Sequence, residues 1–299
     1  MSNRIDRVSR RRYLLGAGTA IATGLAGCTG DNSEGKTTDG DNTTTPSSSG
    51  STDTTNNNSS KKANFKIVSI NAPEEVEVGQ TFDYQVKVKN TGGADGTWTE
   101  TLSAKIGDSS WGKVDDIKMD VPAGETKTWK SDKGDIPYQT VVTYRLENAQ
   151  KEFKVQAVSA SLNYGEGFKA PNGMAVTVKD VEMKSYYEYK GYDGSTKEKR
   201  ASDDKQWAFV QLRSKNKGDE PVFAPMKSDI SIIVDNRQFD YKIINKEDGI
   251  YEGNEISPGI VREGWIAYEV PSNLSKSDIE VAWTGEDFNG SWTVRWSSA

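Results

Sequence analysis

An all-β fold is predicted: two tandem antiparallel β-sandwiches, at 63–157 and 158–299, placed behind a polar, disordered linker at 28–62. Three observations predict it. From residue 65 onward apolar and polar residues alternate at period two, the spacing of strands with one buried face; Phe82, Tyr84, Val86 and Val88 alternate with Asp83, Gln85, Lys87 and Lys89. The runs are short and separated by Gly, Pro, Asn and Asp, the residues that suit tight turns. No stretch of twelve residues carries a convincing helical period.

The first residues have a different character. Arg4, Arg7, Arg10, Arg11 and Arg12 form a basic head, and an apolar run follows from Leu14 to Ala26. As a helix that run spans about 20 Å, short of the roughly 20 residues a bilayer core requires. It fits the central segment of a signal peptide at 1–27. Arg10 and Arg11, with Tyr13 and Leu14 after them, resemble the twin-arginine export motif, which implies export in the folded state. Leu25-Ala26-Gly27-Cys28 resembles a lipobox. That resemblance implies cleavage before Cys28 and a diacylglyceryl thioether on it, enough acyl chain for lasting attachment. The alternatives are a plain signal with a coincidental cysteine, or an uncleaved anchor. Cys28 is the only cysteine of the chain and sits at the cleavage point. A lipid-anchored protein on the extracellular face of the cell membrane is expected.

Charge and composition then exclude function classes. Without the five arginines and Asp6 of the signal, 33 basic and 43 acidic residues remain. A net negative chain lacks the positive footprint with which nucleic-acid binding begins, so no nucleic-acid partner is expected. Surface acidity suits a salty exterior, and the combination resembles secreted lipoproteins of halophilic archaea. The chain has no histidine. That removes Ser-His-Asp and Cys-His catalysis and the usual zinc and copper sites, and a lipidated Cys28 leaves no thiol. No cofactor and no metal is expected. The linker is almost free of apolar residues, so it cannot bury enough surface to offset chain entropy. Its root-mean-square span would be on the order of 30 Å. Asn42, Asn57 and Asn58 head N-x-Ser/Thr sequons within it, although so polar a segment produces sequons by chance.

In the first sandwich Phe65-Ile67 and Val68-Ile70 open a strand read as apolar on both faces, and the Phe82–Val88 alternation ends in Asn90-Thr91-Gly92-Gly93. Further strands are predicted at 97–106, 113–121, 125–130, 140–146 and 151–157. Val78-Gly79, then Val86-Lys87-Val88-Lys89-Asn90-Thr91-Gly92, then Val121-Pro122-Ala123-Gly124-Glu125-Thr126, resemble a CARDB-type immunoglobulin-like domain. The resemblance implies a structural cell-surface module without an active site.

In the second sandwich Met174, Val176 and Val178 alternate, as do Ala208, Val210 and Leu212, then Ile230, Ile232 and Val234, and then Phe239, Tyr241 and Ile243. Asn172-Gly173-Met174, Asn216-Lys217-Gly218 with Glu220-Pro221, Ser257-Pro258-Gly259, and Gly264 to Pro271 resemble the DUF4352 group of immunoglobulin-like extracellular domains over most of 161–296. That group is common in exported lipoproteins and has no established chemistry. The polar insertion from Tyr186 to Asp204 departs from it. Tyr186, Tyr187, Tyr189 and Tyr192 lie there among charges, in a pattern suited either to a recognition loop or to an edge hairpin whose tyrosines pack on the sandwich around a Gly191–Gly194 turn.

Glu74-Glu75, Asp115-Asp116 and Asp203-Asp204 are acidic pairs without the spacing of a calcium loop. Trp98, Trp207, Trp283, Trp292 and Trp296 fall in strand patterns and are expected in cores. Asn273 and Asn289 head further sequons in predicted loops. The expected function is non-catalytic: binding a surface protein, a glycan or the cell envelope. An accessory subunit of an envelope or transport complex is the alternative, and a carboxylate-dependent polysaccharide hydrolase is a third.

Overall fold

A computed structural model describes residues 62–245 and 249–299. Arg10, Arg11, Cys28, Asn42, Asn57, Asn58 and all but the last residue of the linker lie outside them. The first ten strands are β1 (Phe65–Asn71), β2 (Glu75–Glu77), β3 (Thr81–Phe82), β4 (Gln85–Asn90), β5 (Gly96–Ile106), β6 (Gly112–Val121), β7 (Thr126–Lys130), β8 (Gly134–Asp135), β9 (Val141–Leu146) and β10 (Lys151–Val158). A three-stranded sheet β1-β4-β7 packs on a five-stranded sheet β2-β10-β9-β5-β6, and β3 pairs with β8 at a corner. Between them lie Val86, Val88, Leu102, Ile117, Val142, Leu146 and Val155, all essentially inaccessible.

The alternation from Phe82 to Val88 is not one strand. The chain leaves β3 at Asp83 and enters β4 at Gln85. Tyr84 makes the corner, clasped by Ser131, whose hydroxyl accepts from Tyr84 N at 3.0 Å and whose N–H donates to Tyr84 O at 2.9 Å. β1 also differs from the expectation of two apolar faces. A bulge between Ile67 and Ser69 resets the register, so Phe65, Ile67 and Ile70 all pack toward the core while Val68 faces solvent.

The second sandwich comprises β11 (Ala160–Asn163), β12 (Gly167–Lys169), β13 (Met174–Lys184), β14 (Tyr186–Lys190), β15 (Thr196–Arg200), β16 (Lys205–Asn216), β17 (Val222–Phe223), β18 (Ile230–Val234), β19 (Arg237–Phe239), β20 (Tyr241–Lys242), β21 (Glu255–Ile256), β22 (Val261–Pro271), β23 (Glu280–Asp287) and β24 (Gly290–Ser297). Sheets β11-β24-β23-β18-β19 and β12-β13-β16-β22-β20 enclose Met174, Val176, Leu212, Ile232, Tyr268, Trp292 and Trp296. Ribbons β14-β15 and β17-β21 are appended. Among the named strands the pairing is antiparallel with one recurring exception: the last strand of each sandwich pairs in parallel with an early one, β10 with β2 and β24 with β11. The fold is two tandem immunoglobulin-like β-sandwiches.

One residue, Ser159, separates β10 from β11. Ser161 N–H donates across the junction to Glu77 Oε1 at 3.3 Å, and Gln139 N–H donates to Ser291 O at 2.8 Å. Tyr138 of the first sandwich enters the second. Its ring lies 6.2 Å from that of Trp292, and its hydroxyl donates to Asp287 Oδ2 at 2.8 Å. Gly290 leaves room for it: a Cβ there would sit 3.0 Å from Tyr138 Cβ, and its φ of 155° disfavours a side chain. The buried core runs without a break from one sandwich into the other.

Candidate functional site

β16 is the central strand of its sheet, and its side chains leave on alternate faces. Ala208, Val210 and Leu212 enter the core. Trp207 and Phe209 leave on the opposite face, where a sheet with one solvated side would carry polar residues. Both are nonetheless buried, because the β14-β15 hairpin folds over them. Tyr187 meets Trp207 edge-on at 5.1 Å and Phe209 at 6.0 Å, arrangements that satisfy the ring quadrupoles. Trp207 Nε1 donates to Lys199 O at 3.2 Å, and Asn245 N–H reaches Tyr187 Oη at 3.4 Å. Burial raises the Tyr187 phenol above its ordinary range.

This resolves the tyrosine-rich insertion residue by residue. Tyr187 and Tyr189 share a hairpin face and pack on the sheet, Tyr187 within a small second core and Tyr189 at its border. Tyr186 points away and lies beneath the Arg200 guanidinium at 5.5 Å. Tyr192 stands fully exposed in the hairpin turn. The four rings therefore do not gather into one recognition surface, because period two sends neighbours to opposite faces. Asn273 and Asn289 are exposed on turns, and both residues of each acidic pair are exposed. Asp116 pairs with Lys113, which holds its carboxyl below the usual range. Trp98, Trp207, Trp283, Trp292 and Trp296 are all buried. Among the described residues no three or more Asp, Glu, Cys or His side chains are placed to hold a metal ion.

The apolar face continues from Phe209 onto β22, and there it opens. Trp265 and Ala267 point outward on this strand, Ala267 opposite Phe209. Beyond β20 the chain leaves the sheet, then returns to β22 around Trp265. Trp265 N–H donates to Gly249 O at 2.7 Å, and Tyr251 N–H donates to Trp265 O at 3.0 Å. The approach is so close that a Cβ on Gly264 would lie 2.5 Å from Tyr251 N. A cleft of about 260 Å³ lies beside Trp265. Trp265 and Ala267 form its floor, Ile243 and Ile250 its walls, and Lys227, Glu252 and Lys242 its rim. Lys227 Nζ pairs with Glu252 at 2.7 Å; Lys242 has no carboxylate partner among the described residues. Ile243, placed by alternation in a strand with Phe239 and Tyr241, is instead 91% exposed, since the strand ends at Lys242. The cleft is the feature that sequence reading missed. Its only trace there is Gly264 beside Trp265, a small residue where another backbone must approach.

The domain of unknown function DUF4352 matches residues 147–291, from just before β10 into β24. A search of curated proteins finds no match. Solved structures are similar over parts of the chain. A Bacillus subtilis strain 168 protein assigned as a lipoprotein is 21% identical over 44% of this chain, with a TM-score of 0.32, and the chain spans 38% of its length. A β-sandwich protein of Clostridium difficile 630 is 12% identical over 46% of this chain and 93% of its own, with a TM-score of 0.29. Red sea bream transglutaminase is 11% identical over 79% of this chain and 31% of its own, with a TM-score of 0.31. At these values the likenesses carry no argument about function. Among the described residues no helix is long and apolar enough to cross a membrane.

Proposed function

We propose that the protein is a surface lipoprotein, exported by the twin-arginine route and held by lipid on Cys28, whose two sandwiches bind a partner without catalysing a reaction. The first sandwich is a CARDB-type module in this reading, and the second is the DUF4352-type module. The signal motifs at Arg10-Arg11 and Leu25–Cys28 support export and anchoring. The observation that carries binding is the Trp265 cleft, where apolar surface from Trp265, Ile243, Ile250 and Ala267 meets about as much polar surface, with Lys227, Lys242 and Glu252 in its lining. The turns of Asn273 and Asn289 leave both sequons accessible to glycosylation.

The test has two parts. Intact mass and membrane fractionation compare wild type with Cys28→Ser. Cleavage before residue 28 with added lipid, and release of the variant to the medium, are expected; an unmodified Cys28 or a variant that stays membrane-bound refutes the anchor. The released variant is then titrated onto intact cells and assayed on a panel of polysaccharides. Saturable rebinding without turnover is expected. Turnover abolished by neutralising one of the acidic pairs would instead establish the hydrolase.

A further inference from the structure

We infer that the outer face of β1-β4-β7 is a lipid-docking surface, whose lysines lie on the anionic headgroups of the membrane to which the linker tethers the chain. This rests on the anchor reading above and gives the first sandwich a side that faces the membrane.

Register builds the face. Val86 and Val88 of β4 enter the core, so Lys87 and Lys89 leave on the other side. Residues opposite one another across a ladder share a face. Lys66, Lys89 and Thr126 form one row, Ser69, Lys87 and Thr128 the next, and Asn71, Gln85 and Lys130 the third, so lysines are frequent here and carboxylates absent. Val68, set outside by the bulge, stands among them 52% exposed. Lys130 pairs with Asp83 at 3.1 Å and, beside the face, Lys127 pairs with Glu125 at 3.6 Å. Lys66, Lys87 and Lys89 are exposed and have no carboxylate partner among the described residues.

Charge names the chemistry of the partner. Lys66 and Lys89 stand directly opposite each other, a like-charge pair that is unfavourable in the free protein. A layer of phosphates over the three lysines removes that repulsion. The other sheet of the same sandwich differs. Asp116 and Asp120 flank Lys118 on the outer face of β6, and Arg145 faces Glu152 across β9 and β10. In a chain of formal net charge −6, one unbalanced positive face orients the molecule toward an anionic surface.

The point of entry names the surface. The described residues begin at Lys62, beside the turn that ends β4: Gly93 N–H donates to Lys62 O at 3.2 Å, and Thr91 N–H donates to Asn64 O at 2.6 Å. The linker therefore arrives at the Lys66–Lys89 end of this face. Its last stretch, from Thr54 to Lys62, adds two lysines and no carboxylate. A tether from lipid on Cys28, with a root-mean-square span on the order of 30 Å, holds the face near the membrane at high effective concentration, so weak contacts suffice. Each lysine beside an anionic headgroup layer strengthens partitioning about fivefold. Direct ammonium–phosphate contacts are partly buried and are screened less than long-range attraction.

The full-length lipidated protein is reconstituted in nanodiscs of phosphatidylcholine alone or with phosphatidylglycerol, and lysine acetylation by an activated acetate ester is read by mass spectrometry. Phosphatidylglycerol is expected to slow acetylation of Lys66, Lys87 and Lys89 about fivefold and to leave Lys118 and Lys154 unchanged. The Cys28→Ser chain is then sedimented with vesicles of both compositions. Binding should favour phosphatidylglycerol. The triple substitution Lys66→Gln, Lys87→Gln and Lys89→Gln should weaken that binding about hundredfold, a factor of about five for each lysine, with the melting temperature kept or raised. The inference is overturned if the three lysines react alike in both discs, if Lys118 and Lys154 are protected equally, or if the triple variant keeps the preference. It is overturned also if a soluble acidic polysaccharide protects the same lysines at a lower charge concentration than the lipid, which would assign the face to a glycan. Lipid on Cys28 without these effects removes the face and leaves the anchor; an unmodified Cys28 with the vesicle preference intact removes the anchor and leaves the face.

Discussion

Asn90 and Asn216 close equivalent turns, one in each sandwich, with matching hydrogen bonds, to which Asn90 Oδ1 adds one accepted from Asn64 N–H at 3.1 Å. Each is fully buried at the end of a strand, Asn90 on β4 and Asn216 on β16. Each Oδ1 accepts from the N–H of a glycine two residues on, Gly92 at 2.9 Å and Gly218 at 2.8 Å. Each Nδ2 donates to the carbonyl four residues on, Ala94 or Glu220, at 2.8 Å. It donates also to a carbonyl on a strand outside its own sheet, Val121 at 3.0 Å or Ile256 at 2.9 Å. A proline-containing turn follows that second carbonyl in both cases, and its end receives the asparagine's own N–H, at Glu125 O or Ile260 O.

Replacing either asparagine by aspartate keeps the acceptor and removes the donor, stranding two carbonyls. The expected loss is roughly 2–4 kcal/mol at each site, read as a lower urea midpoint. The sites share no partners, so the double variant should lose about the sum. A silent substitution at one site and a costly one at the other would refute the equivalence.

Tyr138 couples the sandwiches. Tyr138→Phe removes its bond to Asp287 and should cost about 1–3 kcal/mol, the range for a hydrogen bond to a charged acceptor. Tyr138→Ala empties the contact with Trp292 and Gly290 as well. Calorimetry should then resolve two transitions where wild type gives one. A single unchanged transition would show that the bonds at Ser161 and Gln139 suffice.

Gly264→Ala places a methyl group against the Tyr251 backbone. The expected cost is about 1–3 kcal/mol, typical of overpacking. Residues 249–251 should be pushed off β22, seen as faster amide exchange at Tyr251 and a shift of the Trp265 indole. Exchange in the first sandwich should not change.

Asp180 carries a pH dependence of predictable sign. Hydrogen bonding from Lys276, beside the β13 bulge, holds its carboxyl below the usual range. A lowered folded value stabilises above the unfolded value, near 4, and that contribution disappears as pH falls through the folded one. The melting-temperature difference between wild type and Asp180→Asn should therefore be present at pH 6 and vanish in strong acid. The side chains are partly exposed, so the difference should be small and reduced by salt. A difference that grows in acid would reverse the assignment.

Period two made most strands legible, because Val86, Val88, Val178 and Leu212 each have polar neighbours on both sides. It failed where a second surface intervened. Trp207 and Phe209 lie in a strand apolar on both faces, and only the hairpin fourteen-to-fifteen ribbon above them explains why. Val68 looked like a buried neighbour of Ile67 because a bulge leaves no mark in hydropathy. Tyr84 looked like mid-strand because a corner clasped by Ser131 depends on a residue far along the chain. Parallel pairing of the last strands was invisible for the same reason. Ile243 and Trp265 were missed together: the cleft arises where a strand stops and another segment returns, and alternation carries no information about where pairing ends.

The single residue between β10 and β11 also decides how the molecule can be cut. A protease needs an extended, accessible stretch of several residues, and Ser159 sits between two hydrogen-bonded strands. Release from the lipid anchor proposed above would therefore free the two sandwiches as one fragment.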